Sequence, residues 1–231
     1  MSKTEIQWDA IHRALDKWRK GLQKEREDSG NEKEPAVTTV AEQYRHNAWA
    51  VLVSTILSLR TKDDVTLETS KRLLAEAPGP NELAALREDQ VTRLAYPAGF
   101  YRTKAASLKK IAAILLEQYS GEVPADMDAL LALPGVGRKT ANLVLIEAFD
   151  LPGICVDVHV HRISNRCGWL CTKTPEVTEM TLREILPKKY WKGLNALLVL
   201  YGQNLCRPAS PFCSRCVIAA HCRQEGVGKK R

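Results

Sequence analysis

The middle of the chain contains its most informative stretch, Leu130-Leu131-Ala132-Leu133-Pro134-Gly135-Val136-Gly137-Arg138-Lys139-Thr140-Ala141. Pro134 is expected to end one helix, and Gly135 and Gly137 permit backbone conformations that side chains would block. A second helix should follow, because apolar residues recur on one face at Ala141, Val144, Leu145 and Ala148. The stretch therefore predicts two short helices joined by a tight Gly-x-Gly turn. The first N–H groups of the second helix lack intrahelical partners and could bind a phosphate.

Two other glycine motifs do not fit this stretch. A dinucleotide-binding fingerprint requires a third glycine where Thr140 stands, and also a preceding strand, which the sequence does not predict. A P-loop requires glycine directly before Lys-Thr, and Arg138 occupies that position. A turn that binds nothing is the alternative for an isolated Gly-x-Gly. The flanking leucines, Arg138 and Ala141 favour the phosphate-binding hairpin.

Helical patterns dominate the rest of the chain. An amphipathic N-terminal helix is predicted from Trp8, Ile11, Leu15, Trp18 and Leu22, followed by a polar linker over 24–31. Further helices are predicted over 49–59, 67–77, 81–94, 104–119 and 127–133. Alternation typical of strands is scarce, so the fold class is mainly α. The last residues, 228–231, are expected to be frayed.

One stretch supports two predictions. Ile154-Cys155-Val156-Asp157-Val158-His159-Val160-His161 alternates apolar and polar residues, and this periodicity favours a half-buried strand. Asp157 is equally suited to cap a helix that begins at Val158.

Composition restricts the class of protein. The chain has 231 residues, 45% of them hydrophobic and 26% charged, which is typical of a globular protein. No stretch reaches the ~18 apolar residues of a membrane span, and the N-terminus has no apolar segment like that of a signal peptide. We therefore expect a soluble intracellular protein. The net charge of +7 is compatible with a nucleic-acid partner but does not establish one.

Four of the seven cysteines lie close together near the C-terminus. Cys206, Cys213, Cys216 and Cys222 have the spacing C-x6-C-x2-C-x5-C. Four thiolates at this spacing can converge on one metal centre, and the spacing differs from the paired C-x2-C knuckles of a zinc ribbon. The spacing alone leaves iron–sulfur and zinc open, whereas disulfides are disfavoured in a reducing compartment.

Lys139 lies in the first turn of the second hairpin helix. The positive end of the helix dipole disfavours an ammonium group there, and desolvation under a bound substrate favours the neutral amine further. A neutral amine can attack carbon. The alternative is that Lys139 is a solvated surface lysine, as many lysines at helix starts are.

Three motifs together resemble the endonuclease III family of helix-hairpin-helix DNA glycosylases. They are the hairpin 133–142, the segment Val156-Asp157-Val158-His159 and the four-cysteine spacing, and the similarity runs from about residue 45 to 224. The resemblance implies an all-α helix-hairpin-helix DNA glycosylase fold, with two helical domains flanking a DNA-binding cleft. A six-helix domain of residues 41–151 would carry the hairpin. Residues 1–40 and 152–231 would form a discontinuous domain, with a [4Fe–4S] cluster on the loop at about 206–222.

The resemblance also implies catalytic roles. Lys139 aligns with the nucleophile of the family and Asp157 with its catalytic carboxylate, so Asp157 should begin a helix rather than lie in a strand. The implied activity is that of a bifunctional glycosylase and AP lyase that removes oxidised pyrimidines. Lys139 would attack C1′ of an extruded nucleotide to form a Schiff base, and β-elimination would then cut the strand.

Further residues are implied to contact DNA. In the hairpin and in the helix after Asp157 they are Gly135, Val136, Gly137, Arg138, Thr140 and His159. In the cluster loop they are Arg207 and Arg215, for which simple solvation is the alternative. The carbonyls of Leu131, Leu133 and Val136 would bind a monovalent cation, as in relatives.

The chain departs from the family at two positions implied to enter the duplex. The family often has glutamine where Arg60 stands in Leu57-Ser58-Leu59-Arg60-Thr61-Lys62-Asp63, so Arg60 would fill the space left by the extruded base. In Gly99-Phe100-Tyr101, the second segment implied to enter the duplex, Phe100 replaces a smaller aliphatic residue, and Tyr101 is implied to contact DNA beside it. The alternatives are a phosphate contact for Arg60 and core packing for Phe100.

Two other functions remain open at this point. One is a monofunctional glycosylase that acts on uracil, thymine or adenine mismatches, and the other is a DNA-binding module without catalytic activity. Relatives of the first kind usually lack the hairpin lysine, so Lys139 counts against it. The expected partner is double-stranded DNA with a damaged base or abasic site, bound by a monomer in a prokaryotic cytoplasm, at the nucleoid.

Overall fold

A computed structural model describes residues 6–28 and 35–231, with helix and coil and no strand among them. The α-helices of these residues are α1 (Trp8–Asp28), α2 (Ala36–Gln43), α3 (Ala48–Ser58), α4 (Asp63–Glu76), α5 (Pro80–Ala85), α6 (Glu88–Ala95), α7 (Tyr101–Gln118), α8 (Met127–Leu131), α9 (Arg138–Phe149), α10 (Val158–Arg166), α11 (Pro175–Ile185) and α12 (Trp191–Asn204). Short 3₁₀ turns are found at Lys188–Tyr190, Cys213–Arg215 and Ala219–His221. The all-α fold class is confirmed. No helix in the described ranges is long and apolar enough to cross a membrane.

The first compact unit comprises the described residues from 35 to Gly153. Its central element is α3, whose residues from Trp49 to Leu57 are all buried. The side chain of Asn47 caps this helix by accepting a hydrogen bond of 3.0 Å from the Ala50 N–H. Helices α2, α4, α7 and α9 all pack against α3. A helix that is apolar all round is stable only when it is enclosed in this way.

The second unit comprises residues 6–28 together with Ile154–Arg231. Helix α12 is its central element, since α1 and α10 both pack against it and α11 packs against α10. The predicted amphipathic face of α1 is used here: Ile11 and Leu15 are at most 1% exposed, and the ring of Trp18 contacts that of Tyr201 edge-on at 4.8 Å. The N-terminal segment is thus an integral part of this core.

Two predicted boundaries are wrong. Helix α1 continues to Asp28, beyond the predicted start of the linker at residue 24, because its charged residues are helix formers. The helix predicted over 81–94 is two helices, α5 and α6. Leu86 and Arg87 adopt extended conformations between them, and the Gln90 side chain accepts a hydrogen bond of 2.8 Å from the Arg87 N–H to begin α6.

The core of the first unit can be tested at Leu108 on α7, which is fully buried. Leu108→Ala should lower the free energy of unfolding by about 2–5 kcal/mol, because the deleted methyl groups leave a cavity. The measurement is the midpoint of urea denaturation followed by circular dichroism. Lys110→Ala, at an exposed position on the same helix, is the control and should leave the midpoint unchanged. Equal midpoints for both variants would contradict the assigned core.

Candidate active site and cysteine pocket

The predicted hairpin is present as α8, a tight turn and α9. Asp126 caps α8 by accepting a hydrogen bond of 2.9 Å from the Ala129 N–H. The Val136 N–H then donates to the Leu133 carbonyl at 3.1 Å, which closes the turn, and Gly137 is the N-cap of α9. This turn therefore brings the chain from the end of one helix directly into the start of the next.

The two glycines of the turn have different roles. Gly135 has a φ of +79°, in the left-handed region that favours glycine. Gly137 has a φ of −98°, which any residue can adopt, so the expectation that both glycines are needed for the backbone is wrong. A Cβ added to Gly137 would have nothing within 4 Å. Glycine at this N-cap thus leaves the start of α9 open to approach by a ligand.

The residues after Gly137 differ in exposure. Lys139 is exposed in the first turn of α9, and Arg138 is half-buried. The side chains of Val136 and Thr140 are 7% and 1% exposed and belong to the interior. A contact of Val136 or Thr140 with DNA would therefore have to come from backbone atoms. Of the two cationic residues at the start of α9, Lys139 is therefore the more exposed.

Asp157 begins a helix, and the strand favoured by periodicity is wrong. It is the N-cap of α10, and its Oδ1 accepts hydrogen bonds from the N–H groups of His159 at 2.8 Å and Val160 at 2.9 Å. These bonds satisfy first-turn donors that the helix itself cannot. Both fall on Oδ1, so Oδ2 carries neither of them. The half-buried carboxylate is held in one orientation.

His159 lies on the side of α10 that packs against α12. Its Nδ1 is 3.1 Å from Nη2 of Arg162. A Cβ added to Gly202, on α12, would be only 2.4 Å from this Nδ1 of His159. Arg162 also donates to the Cys206 carbonyl at 2.8 Å. The half-buried His159 ring therefore joins α10 to α12 and the start of the cysteine segment. Its predicted contact with DNA stays a prediction.

Arg60 and Phe100 stand together on the first unit. Both have left-handed backbones, with φ of +54° and +56°, and the Arg60 guanidinium lies 5.5 Å from the centroid of the Phe100 ring. Phe100 is 62% exposed, so core packing does not explain it, while Tyr101 is half-buried. A large apolar ring kept in solvent beside a cation is suited to contact stacked bases.

The four clustered cysteines share one pocket of the second unit. Cys206, Cys213, Cys216 and Cys222 all line it, together with apolar residues that include Ile163, Leu205, Phe212 and Ile218. A fifth thiol, that of Cys167 at the end of α10, lines the pocket as well. Sequence spacing gave no reason to include Cys167, which lies far from the others along the chain.

Hydrogen-bond donors point at three of the four sulfurs. Arg166 Nη1 lies 3.4 Å from Cys206 Sγ, the Tyr201 hydroxyl donates to Cys216 Sγ at 3.2 Å, and the Gln224 N–H donates to Cys222 Sγ at 3.4 Å. A hydrogen bond from Cys167 lowers the pKa of Cys222 to about 6, which favours its thiolate. Burial raises the pKa of Cys213 and Cys216.

The pocket fits a thiolate-bound cluster in its donor chemistry. Four thiols in an apolar enclosure, with donors directed at the sulfurs, are the surroundings that such a cluster requires. As the side chains are arranged, no group of three or more His, Cys, Asp or Glu residues within the described ranges could hold a metal ion. The identity of the cofactor therefore stays a prediction.

A cluster of arginines surrounds Phe212, beside the cysteine pocket. The guanidinium groups of Arg207, Arg215 and Arg231 lie 5.3, 5.9 and 4.9 Å from the centroid of its ring. Arg207 and Arg215 were predicted from the sequence, and both are exposed. Arg231 was missed because the sequence suggested a frayed tail. Its N–H donates to the Pro211 carbonyl at 2.8 Å, and its carbonyl accepts from Ser214 at 2.9 Å.

Comparison with known proteins identifies the family to which the chain is similar. The model of the HhH-GPD superfamily base excision DNA repair proteins matches residues 53–188. Endonuclease III of Thermotoga maritima is 45% identical over 184 residues, which cover 78% of this chain and 86% of that protein. Endonuclease III of Bacillus subtilis is 35% identical over 192 residues, which cover 82% of this chain and 86% of that protein.

Solved structures of similar proteins agree with this match. A trapped covalent intermediate of endonuclease III with DNA aligns with a TM-score of 0.72 at 36% identity, over 77% of this chain and 84% of that chain. A non-covalent complex of endonuclease III with DNA aligns with a TM-score of 0.73 at 32% identity, over 91% of this chain and 95% of that chain.

The capping role of Asp157 can be tested separately from any chemical role of its carboxylate. Asp157→Ala removes the acceptor of two first-turn N–H groups and should destabilise the protein by about 1–2 kcal/mol. Asp157→Asn keeps an oxygen acceptor and should lose much less. Thermal denaturation of the two variants measures the difference. Identical melting temperatures for the alanine variant and the parent would contradict the capping role.

Proposed function

The chain belongs to the HhH-GPD superfamily of base excision DNA repair proteins, and from this premise we propose that it is a bifunctional DNA glycosylase and AP lyase acting on oxidised pyrimidines. The observation that carries the proposal is the exposed residue Lys139 in the first turn of α9, two residues after the Gly137 N-cap, where an added Cβ would meet nothing within 4 Å. Similarity to endonuclease III, including a structure trapped as a covalent DNA intermediate, supports it.

Lys139 is the nucleophile of the proposed reaction. The damaged nucleotide leaves the base stack, because its C1′ is inaccessible within the duplex. Lys139 Nζ bonds to C1′ while the bond from C1′ to the base breaks, and the base departs after protonation. Opening of the sugar ring gives a Schiff base between Nζ and C1′. The Schiff base acidifies the 2′ protons, so loss of one of them expels the 3′ phosphate and cuts the strand.

Asp157 supplies the negative charge for this reaction. A carboxylate near the sugar stabilises the positive charge that develops as the base leaves. The two N–H bonds to Oδ1 fix the orientation of the group, and Oδ2 can accept a proton from the attacking amine or return one. A capping residue is well suited to this role because its geometry is set before substrate binds.

Contacts to the DNA backbone come from the start of α9 and from the arginines around Phe212. N–H groups at a helix start attract phosphate, and the open position at Gly137 allows close approach. The carbonyls of Leu131, Leu133 and Val136 would hold a monovalent cation, whose charge would offset that of the phosphate. Arg207, Arg215 and Arg231 add charge at a second place along the strand, binding double-stranded DNA without reading its sequence.

Arg60 and Phe100 enter the duplex where the damaged nucleotide has left. Phe100 unstacks the neighbouring bases, and the guanidinium of Arg60 fills the vacated space and donates hydrogen bonds to the opposite base. Arginine offers more donors than the glutamine usual in the family, so the preference among opposite bases should differ from that of such relatives.

The cysteine pocket is proposed to hold a [4Fe–4S] cluster through Cys206, Cys213, Cys216 and Cys222. When bound, the cluster ties the loop that carries Arg207 and Arg215 to the helical core. Arg166 and Tyr201 direct donors at two of its sulfur ligands and offset their charge. The protein acts as a monomer on duplex DNA that contains a damaged base or an abasic site.

The role of Lys139 is tested by borohydride trapping. The protein should form a covalent adduct with a duplex that contains an oxidised pyrimidine, and Lys139→Gln should lose at least about 1000-fold in adduct yield, since the Schiff base needs the amine. Lys110→Gln, which removes an exposed lysine of α7, is the matched control and should trap normally. An undiminished adduct with Lys139→Gln would exclude this nucleophile. Base release without strand cleavage by the parent protein would favour the monofunctional alternative.

The cofactor is tested by metal analysis of anaerobically purified protein. Iron and acid-labile sulfide should be present in equal amounts, with a brown colour and absorption in the blue. Cys213→Ser should reduce both, because it removes one thiolate ligand. Cys155→Ser, at a buried cysteine outside the pocket, is the control. Stoichiometric zinc in place of iron would overturn the proposal.

A further inference from the structure

Lys104 is a buried lysine whose hydrogen bonds all go to uncharged acceptors. It lies in the first turn of α7 and is 6% exposed. Its Nζ donates to the carbonyls of Leu57 at 2.8 Å and Leu59 at 2.6 Å and to the Thr61 hydroxyl at 2.8 Å. Burial lowers its pKa to about 8, so the ammonium predominates at neutral pH. Burying a charge in this way is costly, which makes the position unusual for lysine.

The three acceptors belong to the end of α3 and to the turn that follows. Leu59 is the C-cap of α3, where carbonyl groups lack intrahelical donors and the helix dipole is negative. An ammonium group satisfies several such acceptors at once. Arg60 stands between Leu59 and Thr61, so Lys104 bonds to the residue on each side of it, to the backbone carbonyl of Leu59 and to the side-chain hydroxyl of Thr61.

The same network fixes the turn that carries Phe100. The Gly99 N–H donates to the Thr61 hydroxyl at 3.0 Å, the group that also accepts from Lys104. A Cβ added to Gly99 would lie only 2.3 Å from the Arg60 carbonyl oxygen. The two turns are therefore in direct backbone contact, and Thr61 links both of them to the buried ammonium.

Arg60 and Phe100 need this support because both adopt left-handed conformations. Such conformations are uncommon for residues with large side chains and persist only where surrounding contacts impose them. With the two backbones held, the Arg60 guanidinium lies over the Phe100 ring. The two turns thus place both side chains next to each other.

We propose that Lys104 is a positioning residue that holds the Arg60 turn and the Gly99–Phe100 turn together as one rigid element for insertion into duplex DNA. The inference rests on the proposed function, in which these side chains occupy the space left by the extruded nucleotide. It adds that the two side chains act as a unit, and that this unit depends on a residue that does not itself touch DNA.

The test compares strand cleavage on two abasic substrates, one double-stranded and one single-stranded. A single strand presents its sugar without extrusion from a duplex, so cleavage there requires Lys139 but no insertion. Lys104→Met keeps the length of the side chain and removes the three hydrogen bonds. It should lower kcat/KM on the duplex by roughly 10- to 100-fold, as displaced positioning groups do, and leave the single-strand rate within about twofold.

Lys109→Met is the matched control. Lys109 lies on the same helix, and its Nζ donates to the carbonyls of Ala84 at 2.7 Å and Leu86 at 2.5 Å, at the end of α5. This substitution also removes an ammonium group from carbonyls at the end of a helix, but at the end of α5 rather than beside the Arg60 turn. It should lower the melting temperature as Lys104→Met does, without changing the ratio of duplex to single-strand rates.

Thr61→Val is the second variant, and it decides the matter if Lys104→Met does not fold. It deletes the shared hydroxyl while it keeps a branched side chain, and should lower the duplex rate selectively by a smaller factor. An unchanged ratio in the folded Lys104 and Thr61 variants would overturn the positioning role. Failure of the parent protein to cleave either substrate would instead overturn the proposed function.

Discussion

A helix begins with N–H groups that its own backbone cannot bind, and both residues proposed for catalysis stand at such a beginning. Helix α10 starts on the carboxylate of Asp157, which satisfies two of these donors. Helix α9 starts on Gly137, which has no side chain to offer, and Lys139 follows two residues later. One helix start thus fixes the orientation of an acid, and at the other a residue without a side chain precedes the proposed nucleophile.

The sequence was sufficient where a feature depends on neighbouring residues. The hairpin follows from Pro134 and the glycines, and the buried helix α3 from its apolar run, in which Ser54 and Thr55 are the polar residues between Trp49 and Leu57. Periodicity failed at Asp157 because the alternating stretch spans two elements. The residues up to Asp157 are coil, and α10 begins at Val158, which is exposed although it is apolar. The two hydrogen bonds that Asp157 accepts as an N-cap show that a helix begins there. The similarity to a family resolved in advance what the pattern of residues left open.

Features that depend on distant parts of the chain were not predictable in this way. Cys167 lines the cysteine pocket, and Arg231 lies over the ring of Phe212. In both cases the fold brings together residues that are distant along the chain. The exposure of Lys139 and the burial of Thr140 follow from how α9 packs against α3, which a single sequence does not specify. Lys104 appeared in the sequence as one charged residue of an amphipathic helix, and its role at the end of α3 emerges from tertiary contacts.

The two glycines of the hairpin, Gly135 and Gly137, are subject to different constraints. Gly135 is required by the backbone, since its positive φ would strain any other residue whatever the protein binds. Gly137 is not, because a methyl group there would meet no neighbouring atom. Alanine at 137 would therefore be compatible with folding, and its methyl group would stand where a phosphate is proposed to approach. Descendants of this chain that abandoned nucleic acid could lose the second glycine freely, whereas they would keep the first.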